Sequence, residues 1–134
     1  MDISVVIPLY NEDESLPELF SWIKRVMEEN KFTYEVIFVN DGSTDKTADI
    51  VAQYAKADKR IKFIDNKKNQ GLIAVLNQGL DLAQGEYIAR MDSDDISMPE
   101  RFEKQILYMD ANPDVGMVGT AGQNFGADNA VHYS

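Results

Sequence analysis

Short apolar runs alternate four times with stretches of helical period, and this alternation leaves the chain very few architectures. Ile3 to Leu9 is apolar and rich in β-branched residues, as a strand buried on both faces should be. Leu16, Leu19, Phe20, Ile23, Val26 and Met27 then recur at helical spacing. Ser15 with Glu18 three residues later reads as a capping box at the start of that helix. Tyr34 to Val39 is a second strand-like run, and Thr44 to Ala57 a second helix with Ile50, Val51, Tyr54 and Ala55 on its apolar side. Ile61 to Ile64 predicts a third strand, and Leu72, Leu76, Leu80 and Ala83 a third helix that Gly85 ends. Tyr87 to Met91 predicts a fourth strand. Ser97 and Glu100 form a second capping box, before a helix through Phe102, Ile106 and Met109 that Asn112-Pro113 stops. Val115 to Val118 predicts a fifth strand, and the tail from Gly119 has no clear period.

Strands alternating with helices imply an α/β domain of three layers, helices on both faces of a mainly parallel sheet. A chain of 134 residues is about one domain. We divide it into a domain over 1–118 and a tail over 119–134. Ligands of such sheets bind outside the carboxyl ends of the strands, so the residues after each strand are where chemistry should be sought.

Those residues are polar and acidic. Pro8-Leu9-Tyr10-Asn11-Glu12 follows strand 1, Asn40-Asp41-Gly42-Ser43-Thr44-Asp45 strand 2, Asn66-Lys67-Lys68-Asn69-Gln70-Gly71 strand 3, and Asp92-Ser93-Asp94-Asp95 strand 4. The second loop also suits plain turn and cap chemistry, and Tyr10 alone reads equally as a packing residue. The aspartates of the fourth are harder to dismiss. Two carboxylates about 4 Å apart repel by roughly 4 kcal/mol at an effective dielectric near 20. Three in four residues call for a cation, or else form a solvated acidic loop that caps the next helix. Hard divalent ions such as Mg²⁺ take one or two carboxylates plus substrate phosphates.

Composition excludes other classes. Without cysteine there are no disulfides, zinc fingers or thiol catalysis. The net charge of −10 argues against nucleic acid or an anionic membrane as the main partner. No apolar run approaches the ~20 residues of a transmembrane segment, and no signal peptide opens the chain, which suggests a cytoplasmic location. No G-x-G-x-x-G follows strand 1 and no G-x-x-x-x-G-K-[ST] occurs, which argues against dinucleotide and P-loop sites. The single histidine, His132, reads as a tail residue. A phospho-receiver domain fails too: Tyr10-Asn11-Glu12 stands where it needs an acidic pair, Asn66-Lys67 where it needs an aspartate, and Gly119-Thr120 where it needs a lysine.

Four elements in order carry a resemblance: Val5-Val6-Ile7-Pro8-Leu9-Tyr10-Asn11-Glu12; Asn40-Asp41-Gly42-Ser43-Thr44-Asp45; Asn69-Gln70-Gly71 with Asn77-Gln78-Gly79; and Gly85-Glu86-Tyr87-Ile88-Ala89-Arg90-Met91-Asp92-Ser93-Asp94-Asp95. Over residues 1 to about 120 the chain resembles the N-terminal part of a family 2 glycosyltransferase with the GT-A fold. The resemblance implies a UDP- or GDP-linked nucleotide-sugar donor, whose sugar passes to an acceptor hydroxyl. It implies nucleotide-binding roles for Pro8, Tyr10, Glu12, Asp41, Asn69, Gly71, Asp92 and Ser93. Among these, Tyr10 flanks the base, Glu12 contacts the base or ribose, Asp41 accepts a hydrogen bond from the base and Asp92 faces the ribose. It implies Asp94 or Asp95 as ligand to Mn²⁺ or Mg²⁺. A bridging metal would let an acidic chain hold a diphosphate. Where many relatives carry arginine this chain has Leu76, so Arg90 and Lys68 become candidate cations.

In that family a carboxylate general base follows the strand expected here near Val115, and nothing from Gly119 onward matches its motif. No catalytic residue is therefore assigned. The chain reads as a truncated donor-binding half whose full-length parent is cytoplasmic or peripheral at the membrane. A non-catalytic nucleotide-binding or engineered fragment module is the alternative. The missing strands would expose a sheet edge, an association hazard. Residues 119–134 are expected to fill that edge, or a second copy to pair or swap there as a homodimer.

Overall fold

The computed structural model describes residues 1–93, 100–119, 123–125 and 131–133. They belong to two compact units, Met1–Ser97 and Met98–Ser134.

The first unit runs β1 (Ile3–Leu9), α1 (Leu16–Glu29), β2 (Tyr34–Asp41), α2 (Thr47–Ala57), β3 (Ile61–Asn66), α3 (Leu72–Leu82) and β4 (Tyr87–Arg90). The four strands are parallel in the order β3-β2-β1-β4. The chain steps outward from β1 to β2 to β3, then returns past both to lay β4 on the other side of β1. Because crossovers of this kind are right-handed, the reversal puts α3 on the face opposite α1 and α2.

Period-two alternation distributes the side chains accordingly. Val6, Ile37 and Val39 pack with Val75 of α3, and Ile64, Leu76 and Ala83 close round them. Gly79 lets α3 lie that near the sheet, since a Cβ there would stand 2.4 Å from Val6 Cγ1. The alternate residues Val5, Ile7, Val36 and Phe38 are buried on the other face. The buried stripe of α1 is Leu16, Leu19, Ile23, Val26 and Met27, and Phe20 of α1 stacks on Tyr54 of α2 at 4.7 Å.

A buried charge stands among these apolar residues. Glu35, 1% exposed, accepts hydrogen bonds from Ser4 Oγ at 2.5 Å and the Gln84 amide at 2.7 Å, and pairs with Lys62 Nζ at 2.5 Å. Ser4 Oγ accepts the Gly85 amide at 2.7 Å. The cluster thus ties the end of α3 to the amino-terminal part of the sheet. Burial pushes the Glu35 pKa up, but the bonds from Lys62, Ser4 and Gln84 outweigh it and leave the group below the usual glutamate value.

In the second unit α4 (Arg101–Ala111) buries Phe102, and β5 (Gln123–Phe125) pairs antiparallel with β6 (Val131–Tyr133).

Three local readings change. Ser15 makes no capping bond; its hydroxyl donates back to Glu12, to the carbonyl at 3.2 Å and to Oε2 at 3.1 Å. Its backbone is already helical, so the hydroxyl does not reach the amides of the next turn. The second helix begins at Thr47 rather than Thr44, because Ser43 and Thr44 are engaged in bonds to Asn11 across the loops and the Asp45 carboxylate accepts the Thr47 amide. Val115–Val118 is not a strand. Met117 is 88% exposed, and a β-strand needs a ladder partner as well as apolar residues. Ser97 of the second expected capping box lies outside the described residues; Glu100, at the start of α4, makes no side-chain cap.

Candidate functional site

The point where strand order reverses lies between β1 and β4, and doubly wound sheets bind ligands there, beyond the carboxyl ends of the strands. A cleft of about 340 Å³ occupies that position. Pro8, Leu9, Tyr10 and Glu12 enter it from the end of β1, and Asp41 from the end of β2. Asn69, Gly71, Leu72 and Val75 come from the lead into α3, and Asp92 and Ser93 from the loop after β4. All eight residues singled out in the sequence as nucleotide-binding candidates therefore line one cleft. Asp94 and Asp95 lie outside the described residues. Leu9, Leu72 and Val75 were not among the candidates, because helical or strand periodicity marks them as core and says nothing of which core residue reaches an opening.

The β1 and β2 loops are knitted together by side chains that the sequence offered only as turn formers. Asn11 adopts φ 52°, which asparagine tolerates better than most residues. That turns its Oδ1 onto the Thr44 amide at 2.8 Å, while its own amide donates to Ser43 Oγ at 2.9 Å. Ser43 Oγ donates to Asn40 Oδ1 at 2.5 Å, and Asn40 Nδ2 to Asp65 Oδ1 at 2.8 Å. The Glu12 amide donates to Thr47 Oγ1 at 2.9 Å, and Thr47 Oγ1 donates to Asp45. Burial raises the Asp45 pKa, but bonds from the Thr47 hydroxyl and amide and from Asp13 hold it below the usual aspartate value. Tyr10 is thereby presented on a braced turn, 52% exposed.

Asp41 closes the inner side of the cleft and is 7% exposed. Its Oδ1 accepts the Gln70 amide at 2.6 Å and its Oδ2 the Gly71 amide at 3.1 Å. Each carboxylate oxygen retains a further lone pair. Gly42 makes the close approach of these loops feasible: at φ 77°, a Cβ there would stand 2.7 Å from the Asn69 nitrogen.

Ser93 is buried, and Asp92 stands at the cleft with Arg90 Nη2 3.6 Å from its Oδ1. Neither Arg90 nor Lys68, the candidate cations, lines the cleft. Leu76, at the position of the expected arginine, packs on the α3 core. Among the described residues no three His, Cys, Asp or Glu side chains are grouped to hold a metal. Asp92 is the described member of the acidic run and supplies hard carboxylate oxygens at the cleft.

The model of the family described as Glycosyl transferase family 2 matches residues 4–134. The chain belongs to that family. It is 42% identical over 118 residues to an uncharacterized glycosyltransferase of Haemophilus influenzae, covering 88% of this chain and 36% of that protein. The fold is similar to S. aureus TarS 1–349 in complex with UDP-GlcNAc, with TM-score 0.69 and 29% identity over 84% of this chain and 32% of that one. It is also similar to the mannosyltransferase PcManGT from Pyrobaculum calidifontis in complex with GDP-Man and Mn²⁺, with TM-score 0.73 and 25% identity over 85% of this chain and 33% of that one. This family 2 glycosyltransferase chain spans about a third of the length of each. Its parallel sheet, with helices on both faces, is of the GT-A type. Among the described residues no helix is long and apolar enough to cross a membrane.

Proposed function

We propose that the cleft between the ends of β1, β2 and β4 binds a UDP- or GDP-linked sugar with a divalent cation, as the donor site of a glycosyltransferase that passes the sugar to an acceptor hydroxyl. The observation that carries the reading is the convergence of Tyr10, Glu12, Asp41, Asn69, Gly71, Asp92 and Ser93 on one cleft at the switch point of a family 2 chain. Its volume of about 340 Å³ is within the range of small-molecule sites.

In this reading Tyr10 lies against the base, and Glu12 contacts the base or ribose. Asp41 takes a ring N–H on a lone pair left over from its two amides. Asp92 faces the ribose. Asp94 or Asp95, with Asp92 beside them, would hold Mn²⁺ or Mg²⁺, carboxylates being the ligands these ions prefer. The metal would offset the diphosphate charge that a chain of net charge −10 otherwise repels. The neighbours bound to UDP-GlcNAc and to GDP-Man with Mn²⁺ support this reading.

Isothermal titration with UDP and GDP, with and without Mn²⁺, tests it. Saturable, metal-dependent binding of one nucleotide, weakened by Tyr10→Ala and Asp92→Asn, is the expected result. Absence of binding by either nucleotide with metal present refutes it.

A further inference from the structure

We propose that Asp41 is a positioning residue, which holds the segment Asn69–Gly71 in place and through it sets the cleft wall presented by α3. The affinity part of this inference rests on the nucleotide reading above; the conformational part does not.

Three bonds run from this one residue to three consecutive residues. Gln70 and Gly71 donate their amides to the two carboxylate oxygens at 2.6 and 3.1 Å, and Asn69 Nδ2 donates to the Asp41 carbonyl at 3.3 Å. The segment needs such ties. It lies between β3 and α3, outside any ladder, and Gly71 sits at φ 91°, ψ 158°, a region that essentially glycine alone occupies. Gly71 is also the N-cap residue of α3 and has no side chain with which to cap it. Asp41, 30 positions away in sequence, takes that residue's own amide on a carboxylate oxygen. A negative charge is favoured at that end of a helix by the backbone dipole, so the placement stabilises the start of α3 as well as the loop. Leu72 and Val75, which line the cleft, follow directly from this anchored start.

Asp41→Asn is the discriminating change. One of its side-chain atoms becomes a donor: turned one way it leaves Gln70 without its acceptor, and turned the other it offers Gln70 a neutral acceptor and leaves Gly71 only Asn69 Oδ1, at 3.1 Å. Hydrogen exchange on the ligand-free protein is the first measurement. The Gln70 and Gly71 amides should be protected in the unaltered chain, and at least one of them should exchange about tenfold or more faster in Asp41→Asn, the loss of a hydrogen bond to a charged acceptor. Unprotected amides in the unaltered chain overturn the proposal even if the variant fails to fold, and so does an unchanged rate in a folded variant.

The second measurement is a double-mutant cycle on UDP and GDP affinity with Mn²⁺ present, using Asp41→Asn, Gly71→Ala and both together. If Asp41 acts in part through the segment, the double variant loses less than the product of the two single losses. If the two losses multiply in full, nothing of the Asp41 effect passes through the segment and the positioning role is refuted. Failure of the unaltered chain to bind either nucleotide defeats the donor-site reading, and the exchange result then decides the role of Asp41.

Discussion

Replacing Glu35 by glutamine should cost about 2 kcal/mol at neutral pH, and the loss should fade in acid. The carboxylate is 1% exposed and takes three bonds, from Ser4 Oγ, the Gln84 amide and Lys62 Nζ. Hydrogen bonds to a charged group contribute roughly 1.5–3 kcal/mol each, against about 1 kcal/mol for neutral ones. Glutamine keeps the shape but turns charged bonds into neutral ones and leaves Lys62 without its counter-charge. Lys62 is about one-third exposed, so water screens part of that loss, and about 2 kcal/mol is the sum. With a urea slope near 2 kcal/mol/M, the midpoint should fall by about 1 M. Glu35→Ala also strips the Gln84 amide, and breaking a buried pair this way costs roughly 3–5 kcal/mol. The pH dependence follows from linkage. The folded pKa of Glu35 lies below its unfolded value of 4.5, so the unfolded chain binds more protons between the two. The stabilisation is therefore complete above pH 4.5 and lost as pH falls through the folded pKa. Urea unfolding followed by Trp22 fluorescence at pH 7 and in acid measures both effects. An unchanged midpoint at pH 7, or a difference of the same size in acid, would refute the reasoning.

Three further outcomes are expected. Gly79→Ala places a methyl 2.4 Å from Val6 Cγ1 and should destabilise by about 1–3 kcal/mol through overpacking; combining it with Val6→Ala should recover part of that in the same urea assay. Tyr10→Ala should leave the urea midpoint nearly unchanged, since the ring is half exposed, yet weaken nucleotide binding roughly tenfold by calorimetry, the scale of one base–aromatic stack. Removing divalent metal with EDTA should weaken UDP or GDP binding while leaving the corresponding nucleoside unaffected, because only the diphosphate needs its charge offset.

Local pattern determined much of this protein. The apolar runs at Ile3–Leu9 and Tyr34–Val39 and the helical spacing from Leu16 to Met27 reappear as β1, β2 and α1, since burial on two faces or on one stripe is written in consecutive residues. The polar strand ends were legible for the same reason, and so was the resemblance that the family match confirms. Three-dimensional contact decided the rest. Only the placement of β4 beside β1 brings Asp92 and Ser93 to the cleft that Tyr10 enters, and strand order is a relation between residues some eighty positions apart. Ser15 looked like a cap because Glu18 follows it, yet its hydroxyl turns back to Glu12. Glu35 read as one more residue of an apolar strand, and Lys62, which makes its burial tolerable, arrives on the neighbouring strand after an intervening helix. Asp41 carried the signal of a binding residue, but its two bonds to Gln70 and Gly71 exist only once β2 and the start of α3 have met. Periodicity is a property of neighbours in sequence, whereas a hydrogen bond between loops requires the whole sheet to be assembled first.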